Sequence, residues 1–521
     1  MALGDVNFIK AASSLGTPAV GNDYISGIVF YNGAPYSGTK KFFSLADAEA
    51  QGINLSYSDE TKAKGTIKID TAGDEDDTIT AIAYSPLTLN KYEFTSIQLG
   101  TYTVQLGDDE NDIATGLNAA INALTYKHGF SSTVATDTVT ITAKKGLGLM
   151  PQTIGGFFQN WVVSPLGSLS TTITQGTIAG VPSKIAVMHY HISEFFRANP
   201  TGVLYCGVFP VPVTFDGEEI KDVQSFANGE VKQMAVYYPN DTFATAQIQA
   251  LQDRYDELYV LHKPCEIFFT ADYESGTLST LPDLTTLDSE NVHMVIGQDG
   301  AAVGDFLFWT SGYSISCIGN TLGNTSAAKV SVNIGWRALF PNSNGTELEV
   351  IRFINGDNYT DTPQSLLNIL DDYHYMFLVK NVGISGSFYN DTWSATLSTS
   401  DYNKSERNRT IDKAIRLVRV VLLPSLNAPI YVNADGTLTT SVIEYFKAIA
   451  SQPLADMQNN GEIGAPPNPS GGGLPAAGYE VIINSAQDII TTNKLILTIK
   501  LIPVGLAKFI EVNIGFTVKI G

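Results

Sequence analysis

The sequence predicts a mixed α/β protein of several domains: an α/β core, an inserted β-rich domain, a C-terminal α+β module and extended, strand-forming ends. Three observations lead there. At 521 residues the chain exceeds what one hydrophobic core serves, and its length points to about three or four domains. Helix-period and strand-period segments alternate through its middle. Glycines (46) and prolines (22) spread along the chain with 25 Phe and 24 Tyr, a composition that favours strands and turns.

Residues 1–30 read as an N-terminal linker arm. Short apolar pieces around Val6, Phe8 and Ile9, and again from Tyr24 to Phe30, are separated by Gly16-Thr17-Pro18 and Gly21-Asn22. Such a segment can pair as strand but has too little apolar surface to bury itself. Residues 64–180 change texture. Thr66-Ile-Lys-Ile-Asp70, Tyr102-Thr-Val-Gln-Leu106 and Thr138-Val-Thr-Ile-Thr142 alternate as half-exposed strands. Ile113, Leu117, Ala120, Ile121 and Leu124 line one helical stripe that opens on acidic residues, where the helix dipole favours them. This is an inserted β-rich outer domain.

Residues 31–63 and 181–400 make the core. Leu204–Val211, Gln233–Tyr238, Glu266–Ala271 and Val292–Ile296 are strand-like. Ile248, Leu251, Tyr255 and Leu258 mark an amphipathic helix among them, and a second helix is expected over 363–379. Strand, helix and strand at this spacing form βαβ units. Residues 401–521 begin with a helix over about Thr410 to Leu423 that stops at Pro424. A turn at Asn433-Ala-Asp-Gly436 and a helix through Val442, Tyr445, Phe446 and Ile449 follow. The run 461–478 is a loop, and strands close the chain over 495–502 and 510–520.

That final strand carries the strongest pattern in the sequence. Ile510, Val512, Ile514, Phe516, Val518 and Ile520, with Phe509 just before them, alternate with polar residues or glycine. Extended, the strand spans roughly 36 Å. It either joins its own domain's sheet or is donated to a neighbouring subunit, where main-chain hydrogen bonds give affinity and alternate side chains give register. Periodicity does not separate the two.

The net charge is −21, and it is unevenly placed. Residues 401–521 hold 11 basic and 10 acidic side chains; the first 400 hold 20 and 42. Acidity of this order argues against nucleic acid as a direct partner. It leaves the C-terminal module free to contact something other than solvent. Three widely spaced cysteines suggest no disulfide framework and a reducing compartment. The start, Met1-Ala-Leu-Gly-Asp-Val, has no basic n-region or apolar h-region, and no uncharged run approaches ~18 apolar residues. A cytoplasmic origin without direct membrane contact is expected.

Motifs for chemistry are sparse. His189-Tyr-His191 puts its imidazoles about 200° apart if helical, and Glu194 opposite both if extended, so it does not chelate one metal. Gly33 to Lys40 imitates a phosphate loop but has Thr where Lys must stand, and Gly146-Leu-Gly-Leu-Met-Pro151 lacks the third glycine of a dinucleotide fingerprint. The acidic runs at 74–77 and 108–112 lack the glycine and closing Glu of a calcium loop. No catalytic residue, metal or cofactor is assigned. Lys404, Arg407, Arg409, Lys413, Arg416 and Arg419 form a basic helix with only Glu406 and Asp412 opposing them. Arg409, Lys413 and Arg416 share a face, and Arg419 continues the row with drift. That face either pairs with acids elsewhere in the chain or docks an acidic protein partner.

Asn408-Arg409-Thr-Ile-Asp412-Lys413-Ala, the apolar run to Pro424, Ile430-Tyr-Val, Gly436-Thr-Leu-Thr and the ending Leu495-Ile-Leu-Thr-Ile-Lys-Leu-Ile-Pro503 onwards resemble phage tail sheath proteins, most clearly over residues 380–521. Phe388-Tyr389-Asn-Asp-Thr and Ala328-Lys-Val-Ser-Val-Asn-Ile-Gly-Trp336 fit the same family, and the 64–180 segment is similar to a β-domain inserted in many of its members. The resemblance implies a subunit of a contractile tail sheath, of a phage or of a related injection system. Copies would stack as rings around an inner tube and meet baseplate and tail terminator proteins, in a virion tail or a cytoplasmic injection apparatus. It also implies that the arm bearing Val6, Phe8 and Ile9, and the strand Phe509 to Ile520, join neighbours' sheets, and that the helix bearing Arg409, Lys413, Arg416 and Arg419 faces the tube. A non-contractile tail, baseplate or adhesin protein is the structural alternative, and a hydrolase with paired carboxylates the enzymatic one.

Overall fold

The computed structural model describes residues 22–31, 37–85, 95–148, 161–464 and 477–508. The arm residues Val6, Phe8 and Ile9 and the terminal strand Phe509 to Ile520 lie outside them. The fold is mixed α/β, as the sequence predicts.

The core is built on a six-stranded sheet ordered Val292–Met294, Glu266–Asp272, Gln233–Thr242, Ile25–Tyr31, Val203–Phe209 and Gly38–Phe42. The first five strands run parallel, and Gly38–Phe42 closes one edge antiparallel to Val203–Phe209. Parallel neighbours need helical crossovers, so both faces are covered. Side chains alternate accordingly. Val29, Tyr31, Val236 and Phe269 pack against the helices Glu219–Phe226 and Thr245–Val260; Ile28, Phe30, Ala235 and Phe268 pack against Lys184–Ala198 and Ile318–Ala327.

One boundary is corrected here. All of Ile25–Tyr31 except its last residue falls within the expected 1–30 arm, yet it is a central strand of the sheet with every residue buried. A seven-residue strand that includes Ser26 and Gly27 carries little apolar signal on its own. Parallel partners on both sides supply the burial that the run lacks locally.

On the second face, Lys184–Ala198 and Ile318–Ala327 approach at glycine contacts. A Cβ on Gly319 would lie 2.3 Å from the His191 carbonyl oxygen, and one on Gly323 2.6 Å from that of Phe195. The expected helix at 363–379 is shorter, Gln364–Asp372, and gives way to a strand residue pair at Leu378–Val379.

The insert has its own core. Lys64–Thr71 is flanked by Thr138–Thr142 and Ser170–Ile178, and Thr78–Ser85 by Thr95–Thr103 and Trp161–Leu166. Ile113, Leu117 and Ile121 of the helix Glu110–Ala123 pack on Ile67, Ile79 and Val139. Asp109 caps that helix, accepting from the Asn111 and Asp112 amides, and so absorbs part of the acidic run into helix initiation. The insert leaves and rejoins the core at one point: Thr61 and Val181 exchange backbone hydrogen bonds of 3.1 and 2.8 Å.

Candidate functional site

The C-terminal module consists of the helix Ser405–Leu422, the helix Thr440–Asn459 and an antiparallel hairpin of Tyr479–Ile483 with Leu497–Leu501. Ala414 and Val418 of the first helix meet Ala450, Leu454 and Met457 of the second, and the hairpin lays Tyr479, Val481, Leu497, Ile499 and Leu501 over them. Period-2 alternation dictates the other face, where Glu480 pairs with Lys500 across the strands at 3.5 Å in solvent.

This hairpin is a small sheet. Among the described residues it has two strands, extended only by a bridge from Ile463 to Pro503. A two-stranded sheet is marginal in water, and its edge amides and carbonyls are a template for further strands. Ile496 and Ile502, at the two ends of its second strand, are 63% and 56% exposed.

The basic helix is placed differently from the expected docking face. Arg409 is 3% exposed and donates from Nη2 to the Ala328 carbonyl at 3.1 Å. Lys413 is 5% exposed, and its ammonium contacts Asp23 Oδ2 at 2.5 Å and Glu462 Oε1 at 2.6 Å. Arg416 is half-buried and reaches the Pro264 carbonyl, 3.4 Å away; Arg419 is half-buried and has its own partner in the chain. The face named for a tube contact is thus corrected at Arg409 and Lys413: it is turned inward. Burying such cations is possible because the core supplies carboxylates and carbonyls to meet them.

On the same face, four residues before Arg416, lies Asp412, whose carboxylate accepts from the Tyr255 hydroxyl at 3.0 Å. Burial pushes its pKa up to about 7, against the pull of Arg416. Lys232 close by is pushed down to about 7, by burial and then by Arg416. Glu266, fully buried, accepts from Asn291 at 2.8 Å and lies 2.5 Å from His293 Nε2. Together these groups make an ionic joint between the core and the C-terminal module. Sequence reasoning found its cations but could not find Asp23, Tyr255 or Glu462, because sequence separation hides the pairing.

The motifs set aside for chemistry have structural duties. His189 and His191 lie on one helix; His189 is 2.9 Å from Glu49, whereas His191 is fully buried among Phe30, Tyr190 and Tyr237 with neither ring nitrogen partnered. The Gly146 and Gly148 amides both donate to the Glu60 carboxylate, so the anion-like partner of that turn comes from the chain itself. Gly38–Phe42, the end of the phosphate-loop imitation, is the edge strand of the core. Cys206, Cys265 and Cys317 are buried and free, with thiols pushed up by burial, to about 12 for Cys206 and Cys317. Among the described residues no group of three or more His, Cys, Asp or Glu could hold a metal ion, and no helix is long and apolar enough to cross a membrane.

By class, then, the fold is a multidomain mixed α/β protein whose last module carries, among the described residues, a two-stranded hairpin. Residues 401–521 match the family model described as DUF2586, C-terminal domain. Among solved structures the chain is similar to tail sheath proteins, the class its sequence resembles. With the helical sheath of the anti-feeding prophage in its contracted state it shares 16% identity over 63% of this chain and 81% of that one, at a TM-score of 0.43. The values for a sheath tail protein of Desulfitobacterium hafniense are 13% identity, 88% and 90% coverage and a TM-score of 0.34. For one of Listeria innocua they are 9%, 92%, 94% and 0.38. No curated protein sequence matches the chain. Likeness at this level assigns no role to any residue.

Proposed function

We propose that the chain is a structural subunit of a contractile tail sheath. It polymerises into stacked rings around an inner tube and contracts to drive that tube through a target envelope. The observation that carries the reading is the open hairpin at 479–501, separated by a few residues from the alternating segment Phe509 to Ile520. A sheet lacking strands and a strand of matching periodicity on the same chain suit donation between copies. The sequence resemblance over 380–521 supports it. So does the charge split between the acidic first 400 residues and the near-neutral C-terminal module, which suits an acidic exterior and a module facing the tube. Baseplate and terminator proteins would meet the ends of the polymer, and the assembly would form in a host cytoplasm. No covalent chemistry is required of the subunit.

Electron microscopy of the purified chain tests this. The expected result is tubes or striated rings as wide as a phage tail, abolished by deleting 509–521 while the subunit stays folded. A monodisperse globular monomer at high concentration contradicts it.

A further inference from the structure

Where the described chain ends, the last side chain is held by a built receptor. Lys508 Nζ lies 2.7 Å from Asp371 Oδ2, 3.2 Å from Asp391 Oδ2 and 4.4 Å from the ring centre of Trp393. The receptor is also held by contacts that do not involve Lys508. Asp391 is 3% exposed and bound at 2.7 Å by Lys404, whose ammonium also sits over Trp393 at 4.5 Å. The indole donates from Nε1 to Asp371 Oδ1 at 3.0 Å, and Asn390 donates to the same oxygen at 2.9 Å. His374 stacks on Trp393 with ring centres 4.2 Å apart and planes 4° from parallel. Two carboxylates and an aromatic face, each oriented by its own partners, are the elements that recognise an alkylammonium ion. Burial pushes the Asp391 carboxyl up, but Lys404 and Lys508 together hold it below the usual carboxylate range.

We infer that Asp371, Asp391 and Trp393 form an ammonium-binding site whose ligand is Lys508, and that this site anchors the chain at the last residue before the alternating segment 509–520. Lys508 stands immediately before Phe509, so the contact fixes the residue from which the alternating segment begins. Residues 504–508 form part of the wall of a groove of about 1580 Å³ between the core and the C-terminal module. The consequence for assembly rests on the sheath reading: a strand leaving from a fixed point samples fewer orientations and meets a neighbour's edge at less entropic cost. The site itself does not depend on that reading.

Trypsin reports on the site directly, because it must extract the Lys508 side chain to cut after it. Lys494, exposed in the hairpin loop, is the internal reference. With full-length, unassembled protein and mass spectrometry, Asp371→Asn should raise cleavage after Lys508 relative to Lys494 by about tenfold, as expected for losing a charge-assisted hydrogen bond. Lys508→Gln, which leaves the receptor intact, should speed chymotryptic cleavage after Phe509 to a similar degree. Wild-type rates in both variants would overturn the site. If cleavage accelerates but Lys508→Gln assembles into tubes at the wild-type rate, the assembly consequence is wrong and the site stands. If the wild-type chain forms no tubes while cleavage accelerates, the sheath reading fails and the site is unaffected.

Discussion

Lys413 and Glu462 form a buried ion pair, Nζ to Oε1 2.6 Å, with both side chains under a tenth exposed. The same ammonium holds Asp23, where the described chain begins. One cation therefore joins Asp23, two residues before the central strand Ile25–Tyr31, to the C-terminal module. Lys413→Met leaves two carboxylates without their counter-charge and should cost about 3–5 kcal/mol in urea unfolding. Lys413→Met with Glu462→Gln should recover at least half of that loss. Equal losses in the single and double variants would show that the charges are not coupled.

Close helix contact at Gly319 predicts an overpacking penalty. An added Cβ meets the His191 backbone at 2.3–2.8 Å, atoms that cannot rotate away. Gly319→Ala should lower stability by about 2–3 kcal/mol. Gly505→Ala, with nothing within 4 Å of the added carbon, should be near neutral.

His191 has the opposite expectation. Its ring is pushed down to about 3 by burial and so stays neutral, yet both nitrogens lack partners. His191→Leu removes that unsatisfied polarity and should raise stability at neutral pH by about 1 kcal/mol. Calorimetric midpoints of the two proteins decide it.

The Asp412 carboxyl gives a pH dependence with a definite sign. Its folded pKa, about 7, exceeds its ordinary value of 3.8. The folded state thus binds the proton more tightly, and this contribution is complete below pH 4 and lost as pH rises through 7. Asp412→Asn should flatten that fall. Stability curves of the two proteins measured across this interval should diverge at the alkaline end, the wild type losing more.

The bridge between Thr61 and Val181 predicts that the insert is separable. Replacing residues 62–180 by two glycines should leave the six-stranded core folded, with its circular dichroism intact, because the junction is already closed by backbone hydrogen bonds. Collapse of the core on excision would show that the insert is part of its support.

Legibility in the sequence followed local periodicity. The helix Thr245–Val260 was readable from Ile248, Leu251, Tyr255 and Leu258, all of which are buried. The alternation of Thr138 to Thr142 likewise marked a half-buried strand. What the sequence hid depends on distant partners. Ile25–Tyr31 is a central strand only because Val203–Phe209 and Gln233–Thr242 flank it. Helix Ile318–Ala327 misleads in the opposite way: Asn320, Thr321, Asn324, Thr325 and Ser326 read as a polar face, yet they are buried and bonded within the chain, so its amphipathic signal points away from the core it occupies. The basic helix showed its charges but not their direction: a row of cations reads the same whether it meets solvent or carboxylates brought from nearly 400 positions away in the chain. Lys508, Asp371 and Trp393 carried no signal at all, for their meeting is purely tertiary.

The central claim is that separate copies of this chain complete one another's sheets, and a helical reconstruction of the assembled polymer by electron cryomicroscopy tests it most directly. The account predicts density for Phe509 to Ile520 running as a strand along an open edge of another copy's 479–501 hairpin. Density that folds this segment back onto its own subunit, with no sheet crossing between copies, would contradict it.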